Sequence, residues 1–196
     1  RITMLPLAIN AQLSNLLAWQ QTVFCMALCE HTRLHFQLFC DAIESEAAQE
    51  VDKINHLFWE KMTSKGTKVN FNTQQEQFDE LIPDSRDFDF YGVYPAIDHC
   101  VIVSCTFNSF LSKSKDEALH ASQTSFSSIA SFIELQTDQE IEDEQLQQET
   151  LFIEQLEFQT TLLNMLDTER SPEVIKSIKT FVQQYGVTNL GIALSD

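Results

Sequence analysis

From Ala96 to Leu111 the chain reads apolar on nearly every face of a helix, and no other stretch restricts the fold as much. Ile97, Cys100, Val101, Ile102, Val103, Cys105, Phe107, Phe110 and Leu111 would cover all faces of a helix. A helix that is apolar all round is a buried one. Ser104, Thr106, Asn108 and Ser109 interrupt the run, which is also shorter than the roughly 20 apolar residues a bilayer requires. The β-branched Val101, Ile102 and Val103 would equally suit a strand, but helical periodicity on both sides favours a helix. Pro95 fits a first turn, where its missing N–H costs nothing. Asp98 falls in the same turn, where a carboxylate complements the positive end of the helix dipole. The expectation is an all-α, single-domain bundle of about seven to eight helices over residues 1–196, with its most buried helix within residues 87–111. Val101→Asp is expected to unfold it.

The flanking sequence is consistent with this. Asn10 or Ser14 can cap a first helix carrying Leu13, Leu17, Phe24 and Leu28, and a second helix carries Leu34, Leu38 and Phe39. Val51, Ile54, Leu57, Phe58 and Met62 form the stripe of a third, ending near Gly66. Thr73–Glu76 and Ser114–Glu117 each read as a capping box. One helix is expected over about Glu142 to Glu169. Ser171-Pro172-Glu173 opens the last, with a cap, a proline and an acid in order, and Gly186 stops it. The tail from Val187 is apolar enough to dock on the body. Four Gly and four Pro argue against a loop-rich chain, and fifteen Phe imply a Phe-packed core.

The net charge of −17 argues against a nucleic-acid partner, whose phosphates need a basic footprint, and disfavours anionic membranes. Five Cys, an odd number in apolar surroundings, read as reduced and buried thiols. The first residues hold no signal-peptide core. No Met stands at position 1, as for a chain trimmed there. A cytoplasmic location follows as an expectation.

Six residues mark a candidate ligand site: Asp87, Asp89, Tyr91, Tyr94, Asp98 and His99. The three carboxylates could surround a cation or act as acid and base. Asp87 and Asp89 alternate with Phe88 and Phe90, so an extended segment would put acids on one side and rings on the other. The plainer reading, helix-capping acids on a loop anchored by two Phe, is the more economical. Tyr91 and Tyr94 are amphipathic rings, and Tyr94, which precedes a proline, is expected to be extended. Cys25 and Cys29, four apart, with Cys100 and His99 nearby, could form a soft-metal set, but no Cys-x-x-Cys spacing supports one. No metal and no cofactor are expected. His31 and His35, beside Glu30 and Arg33, are expected on a solvated face.

Between Asp116 and Glu169 there is no Lys or Arg. Within that span Glu140, Glu142, Asp143 and Glu144 are candidate partner-binding residues. A partner would be a second copy of the chain or a basic protein, and the plainer reading is a solubilising face.

The blocks DFDFYGVYPAID, KVNFNTQQEQFDELIP (Lys68 to Pro83), LAWQQTVFCMALCE and Asn189-Leu190-Gly191-Ile192 resemble the YjaG-like family of small bacterial proteins. The likeness spans most of the chain. It is loosest from Ile43 to Gln49 and after Gln136. It implies an all-helical fold in a bacterial cytoplasm, in a family without an assigned function, and it transfers no catalytic residue. The function expected is therefore protein–protein or self-association without chemistry. The alternative is an enzyme or small-ligand binder with a pocket near Tyr91, Tyr94, Asp98 and His99.

Overall fold

The computed structural model describes residues 4–112 and 114–193. Residues 1–3 of the stretch read for a leader, Lys113, and the last three residues of the tail lie outside them. The helices among the described residues are α1 (Asn10–Ser14), α2 (Ala18–Ala42), α3 (Ala47–Thr63), α4 (Phe71–Asp79), α5 (Val93–Leu111), α6 (Glu117–Thr137), α7 (Asp143–Leu146), α8 (Thr150–Leu166) and α9 (Pro172–Gln184). A 3-10 turn, Ser85–Asp87, precedes α5, and Val187 and Ala193 form one isolated antiparallel bridge. No helix among the described residues is long and apolar enough to cross a membrane. The chain is a helical domain around one continuous core, as its periodicity predicts.

The centre is a pair of helices and not α5 alone. α2 is buried without a break from Gln21 to Cys29 and packs along α5. Sequence reasoning split α2 in two because its buried face is partly polar: Gln21, Thr22, His31, Thr32 and His35 lie inside. α5 is buried on Val93, Ala96, Cys100, Ile102, Val103 and Phe107, but Val101 is only partly covered, so the outer side of α5 remains accessible. α5 begins at Val93, so Tyr94 is helical and not extended. Pro95 is tolerated there because the first four helical N–H groups have no partner within the helix.

Other helix starts also differ from the sequence reading. Asn70, and not Thr73, caps α4, accepting the Thr73 N–H at 3.2 Å. α6 takes its cap from another helix: Gln21 Oε1 accepts the N–H groups of Glu117 and Ala118 at 3.1 and 3.4 Å, while Gln21 Nε2 donates to the Ser114 carbonyl. The segment expected as one helix after Glu142 is two, α7 and α8, with buried Leu146 and Phe152 on either side of the break. Ser171 caps α9 as predicted, accepting the Val174 N–H at 3.1 Å.

Phe rings fill the core in clusters. Phe58, Phe71, Phe78, Phe107 and Phe110 meet where α3, α4 and α5 converge, with centroids 4.5 to 6.1 Å apart. Such pairs add about 0.5–1.5 kcal/mol each beyond area burial. Between α6 and α8 the seam is polar and small. Ser125 Oγ accepts from Gln159 Nε2 at 2.7 Å and from Gln155 Nε2 at 3.3 Å. The tail docks as expected, but through polar anchors: Thr188 Oγ1 pairs with His35 Nε2 at 2.9 Å, and Asn189 Nδ2 donates to the Ser125 carbonyl at 2.9 Å. Gly191, at φ +74°, closes this loop where a Cβ would lie 3.1 Å from Leu151 Cδ2.

Candidate functional site

The six sequence candidates separate into three environments. Asp87 and Asp89 are exposed, while Phe88 and Phe90 turn onto Phe39 of α2 at 4.9 and 5.8 Å between centroids. The predicted alternation is therefore present. The cap in this segment comes from Asp84, which accepts the Arg86 N–H at 2.9 Å and pairs with its guanidinium.

Tyr91, Tyr94 and Asp98 form a second group. Tyr91 lies 5.8 Å from Tyr94 and 6.4 Å from Phe132 of α6, centroid to centroid. Asp98 accepts from Ser128 Oγ of α6 at 2.6 Å. Burial raises the Asp98 carboxyl above its ordinary range, against the pull of the Ser128 hydrogen bond. The Tyr91 hydroxyl is pushed up to about 12, by burial first and by the neighbouring Asp98 charge second.

His99 belongs to neither group. One residue along a helix is a turn of about 100°, so His99 faces inward where Asp98 faces α6. It is 1% exposed, and its Nδ1 pairs with Thr32 Oγ1 at 2.8 Å. The Thr32 hydroxyl donates to the Leu28 carbonyl, so His99 Nδ1–H is the donor of that pair. His31 and His35 are buried as well, at 2% and 4% exposure, which overturns the expected solvated face. His31 stacks on Phe158 at 3.9 Å and meets Tyr185 edge-on at 5.5 Å. Burial lowers all three imidazoles, His31 and His99 to about 3 and His35 to about 4. His31, Gln155 and Asn189, each with a buried polar atom lacking a protein partner, line one cavity of about 10 Å³. That is the size and polarity a single bridging water satisfies.

An accessible cavity lies on the outer side of α5, against α6. A cavity of about 610 Å³ is lined there by Asp98, Val101, Asp116, Leu119 and His120, with Leu5 of the N-terminal segment as a further wall. Gln123 of α6 holds that wall, accepting the Leu5 N–H at 2.8 Å and donating to the Leu5 carbonyl at 3.1 Å. A second cavity of about 250 Å³, lined by Ile97, Cys100, Val101 and Cys105, shares Val101 and His120 with the first. The larger volume falls in the range of small-ligand pockets. Of the sequence candidates only Asp98 lines it; Tyr91, Tyr94 and His99 do not. Asp116, His120 and Cys105 were not singled out from the sequence as a site, because the pairing of α5 with α6 brings them together.

All five cysteines are free thiols buried in the fold. Cys29 Sγ lies 3.2 Å from Thr106 Oγ1, and Cys105 Sγ lies 3.4 Å from His120 Nδ1. Burial raises the Cys29 and Cys105 thiols, and for Cys105 the Glu117 carboxylate adds to the effect. The four partner-binding candidates fall at the α6–α7 connection and in α7. Glu140, Glu142 and Glu144 are exposed and Asp143 is half-buried.

Residues 8–193 match the family model described as protein of unknown function (DUF416). The chain is 35% identical over 192 residues to the uncharacterized protein YjaG of Escherichia coli (strain K12), covering 96% of this chain and 98% of that one. It is 30% identical over 188 residues to an uncharacterized protein of Haemophilus influenzae, covering 94% and 96% respectively. Its fold matches the crystal structure of a DUF416 family protein from Shewanella baltica OS155, with a TM-score of 0.87 and 26% identity, over 96% of this chain and 100% of that one. These relatives bear no assigned activity, and on residues 8–193 the chain belongs to the DUF416 family.

Proposed function

We propose that this is a cytoplasmic binding protein that takes a small cationic ligand in the groove between α5 and α6. Asp98 carries the reading. It is a carboxylate partly withdrawn from water on the wall of a cavity of about 610 Å³, with Asp116 on the same wall. An ammonium group placed there would relieve the burial of Asp98, while Val101, Leu119 and Leu5 would cover an aliphatic body. The chain's net charge of −17 concentrates cations near it. Cys105, in the adjoining cavity, is raised by burial and by the Glu117 carboxylate, so it is a thiol there and not a free nucleophile. Buried free thiols support the cytoplasm. Calorimetric titration with a series of aliphatic diamines tests the reading. Asp98→Asn, which keeps the Ser128 hydrogen bond, should weaken the best binder by at least about tenfold, the worth of one charge-assisted hydrogen bond. Unchanged affinity in Asp98→Asn, or no diamine binding at millimolar concentration, would refute it.

The cation-free span from Asp116 to Glu169 favours a second reading, an acidic docking face for a basic protein or for another copy. Three of its four central acids are exposed, which is consistent with that role.

A further inference from the structure

We propose that Cys105, Glu117 and His120 form a binding site for a divalent transition metal of the zinc class, with an open coordination position facing the α5–α6 groove. One thiolate, one carboxylate oxygen and one imidazole nitrogen converge there from two helices, all within 4.8 Å of one another. The Cys105 Sγ to His120 Nδ1 distance is 3.4 Å. Bonds of about 2.3 Å to sulfur and 2.0–2.1 Å to nitrogen at a tetrahedral angle place the two donors about 3.6 Å apart, so that edge of the polyhedron is already in place. The carboxylate needs only a side-chain rotation, since Glu117 sits half-buried in the first turn of α6 with its carboxylate already within 4.8 Å of the other donors. Glu117 and His120 are three residues apart and so share one helix face.

Charge points the same way. A thiolate and a carboxylate carry two negative charges, which a divalent cation neutralises. Occupation replaces the thiol proton with the metal and releases that proton to solvent. Cys105 is 1% exposed whereas His120 is exposed, so the cluster has a closed inner side and an open outer one. His120 lines both cavities of the groove, which puts the open side where a water or a ligand could bind. Three protein donors with a fourth position free is the arrangement of reactive zinc sites, whereas structural sites are closed by four. The sequence showed only the Glu117 and His120 spacing. The third donor comes from α5, so the sequence reading of metal-free thiols had no reason to include it. The proposal stands on this geometry and not on the diamine reading.

The test uses the full chain, stripped with a chelator under reducing conditions and titrated with Co²⁺ alone. Binding should saturate near one equivalent, with a thiolate-to-cobalt charge-transfer band in the near ultraviolet that Zn²⁺ bleaches. Cys105→Ser should abolish the band, and Cys40→Ser should leave it intact. Glu117→Gln and His120→Gln change a half-buried and an exposed residue and leave the buried Cys105 side chain in place, so they keep the test open if the serine variant fails to fold. Each should weaken Co²⁺ by more than the roughly 10–100-fold typical of losing an outer-shell partner. No charge-transfer band at one equivalent would overturn the site and leave only a Cys–His hydrogen bond beside an acid. Equal Co²⁺ affinity in the Glu117→Gln/His120→Gln double variant would overturn it too. Diamine titration of the same metal-free protein reads the groove independently.

Discussion

Replacing His31 by Phe should flatten the acid side of the stability curve. The His31 imidazole is held neutral, with its pKa lowered from 6.5 to about 3, mainly by burial and then by His35 nearby. The folded state therefore binds fewer protons than the unfolded chain. A group with a depressed folded pKa contributes stability above its unfolded value, and that stability is lost as pH falls towards the folded one. The window runs from 6.5 down to about 3. At pH 5 the unfolded imidazole is nearly all charged and the folded one nearly all neutral, which gives a loss of about 2 kcal/mol from this residue. His35 and His99 repeat the effect, so the three together reach about 6 kcal/mol if independent, which rivals the whole stability of a small domain. Buried Asp98 and Glu30 oppose it, because their raised pKa values make protonation favourable in the fold. That contribution is common to wild type and variant and cancels in the difference. Phe can replace the imidazole in the stack on Phe158, and its effect at neutral pH sets only the baseline. The assay is urea unfolding by circular dichroism at pH 7.5 and pH 5. The variant's advantage over wild type should grow by about 2 kcal/mol between them. Parallel profiles within about 0.5 kcal/mol would show that His31 is already charged or solvated in the fold, and would refute the reasoning.

The core and groove sides of α5 should respond differently to charge. Val103→Asp, at a 0% exposed position, should cost more than about 4 kcal/mol and abolish the cooperative melt, whereas Val101→Asp, on the groove wall, should leave a folded protein; equal melting temperatures for the two would contradict this. If the acidic face binds a basic partner, changing Glu140, Glu142, Asp143 and Glu144 to Gln or Asn should slow association and reduce its salt dependence. Surface plasmon resonance with a partner recovered by pull-down, or sedimentation for self-association, reads it. An unchanged on-rate and salt slope would leave these acids as solubilising groups.

Much of the fold was legible because it depends on apolar periodicity. The stripe of α3 and the Ser171-Pro172 start of α9 follow local rules. α2 was misread because a buried face made of Gln, Thr and His mimics a solvated one, and only its partners reveal otherwise: Ser114 for Gln21, His99 for Thr32, Thr188 for His35. The candidate site residues were only partly placed together by the sequence. Asp98 lines the α5–α6 cavity, but its neighbour His99 was assigned to the same pocket because sequence adjacency conceals the 100° turn between them. Cys105 and His120 are fifteen residues apart on different helices, and no local pattern links them.

The polar anchors of the C-terminal loop bear on how the chain is made. His35 and the Ser125 carbonyl lie in α2 and α6, which leave the ribosome well before their partners Thr188 and Asn189. A nascent chain that has reached Gly186 already holds its apolar helices but lacks the partners of His35 and the Ser125 carbonyl. Domains commonly fold as they emerge, from the N-terminal end onward. Here closure of the core waits until Thr188 and Asn189 have emerged, and a chain cut before them leaves His35 and the Ser125 carbonyl without these partners permanently.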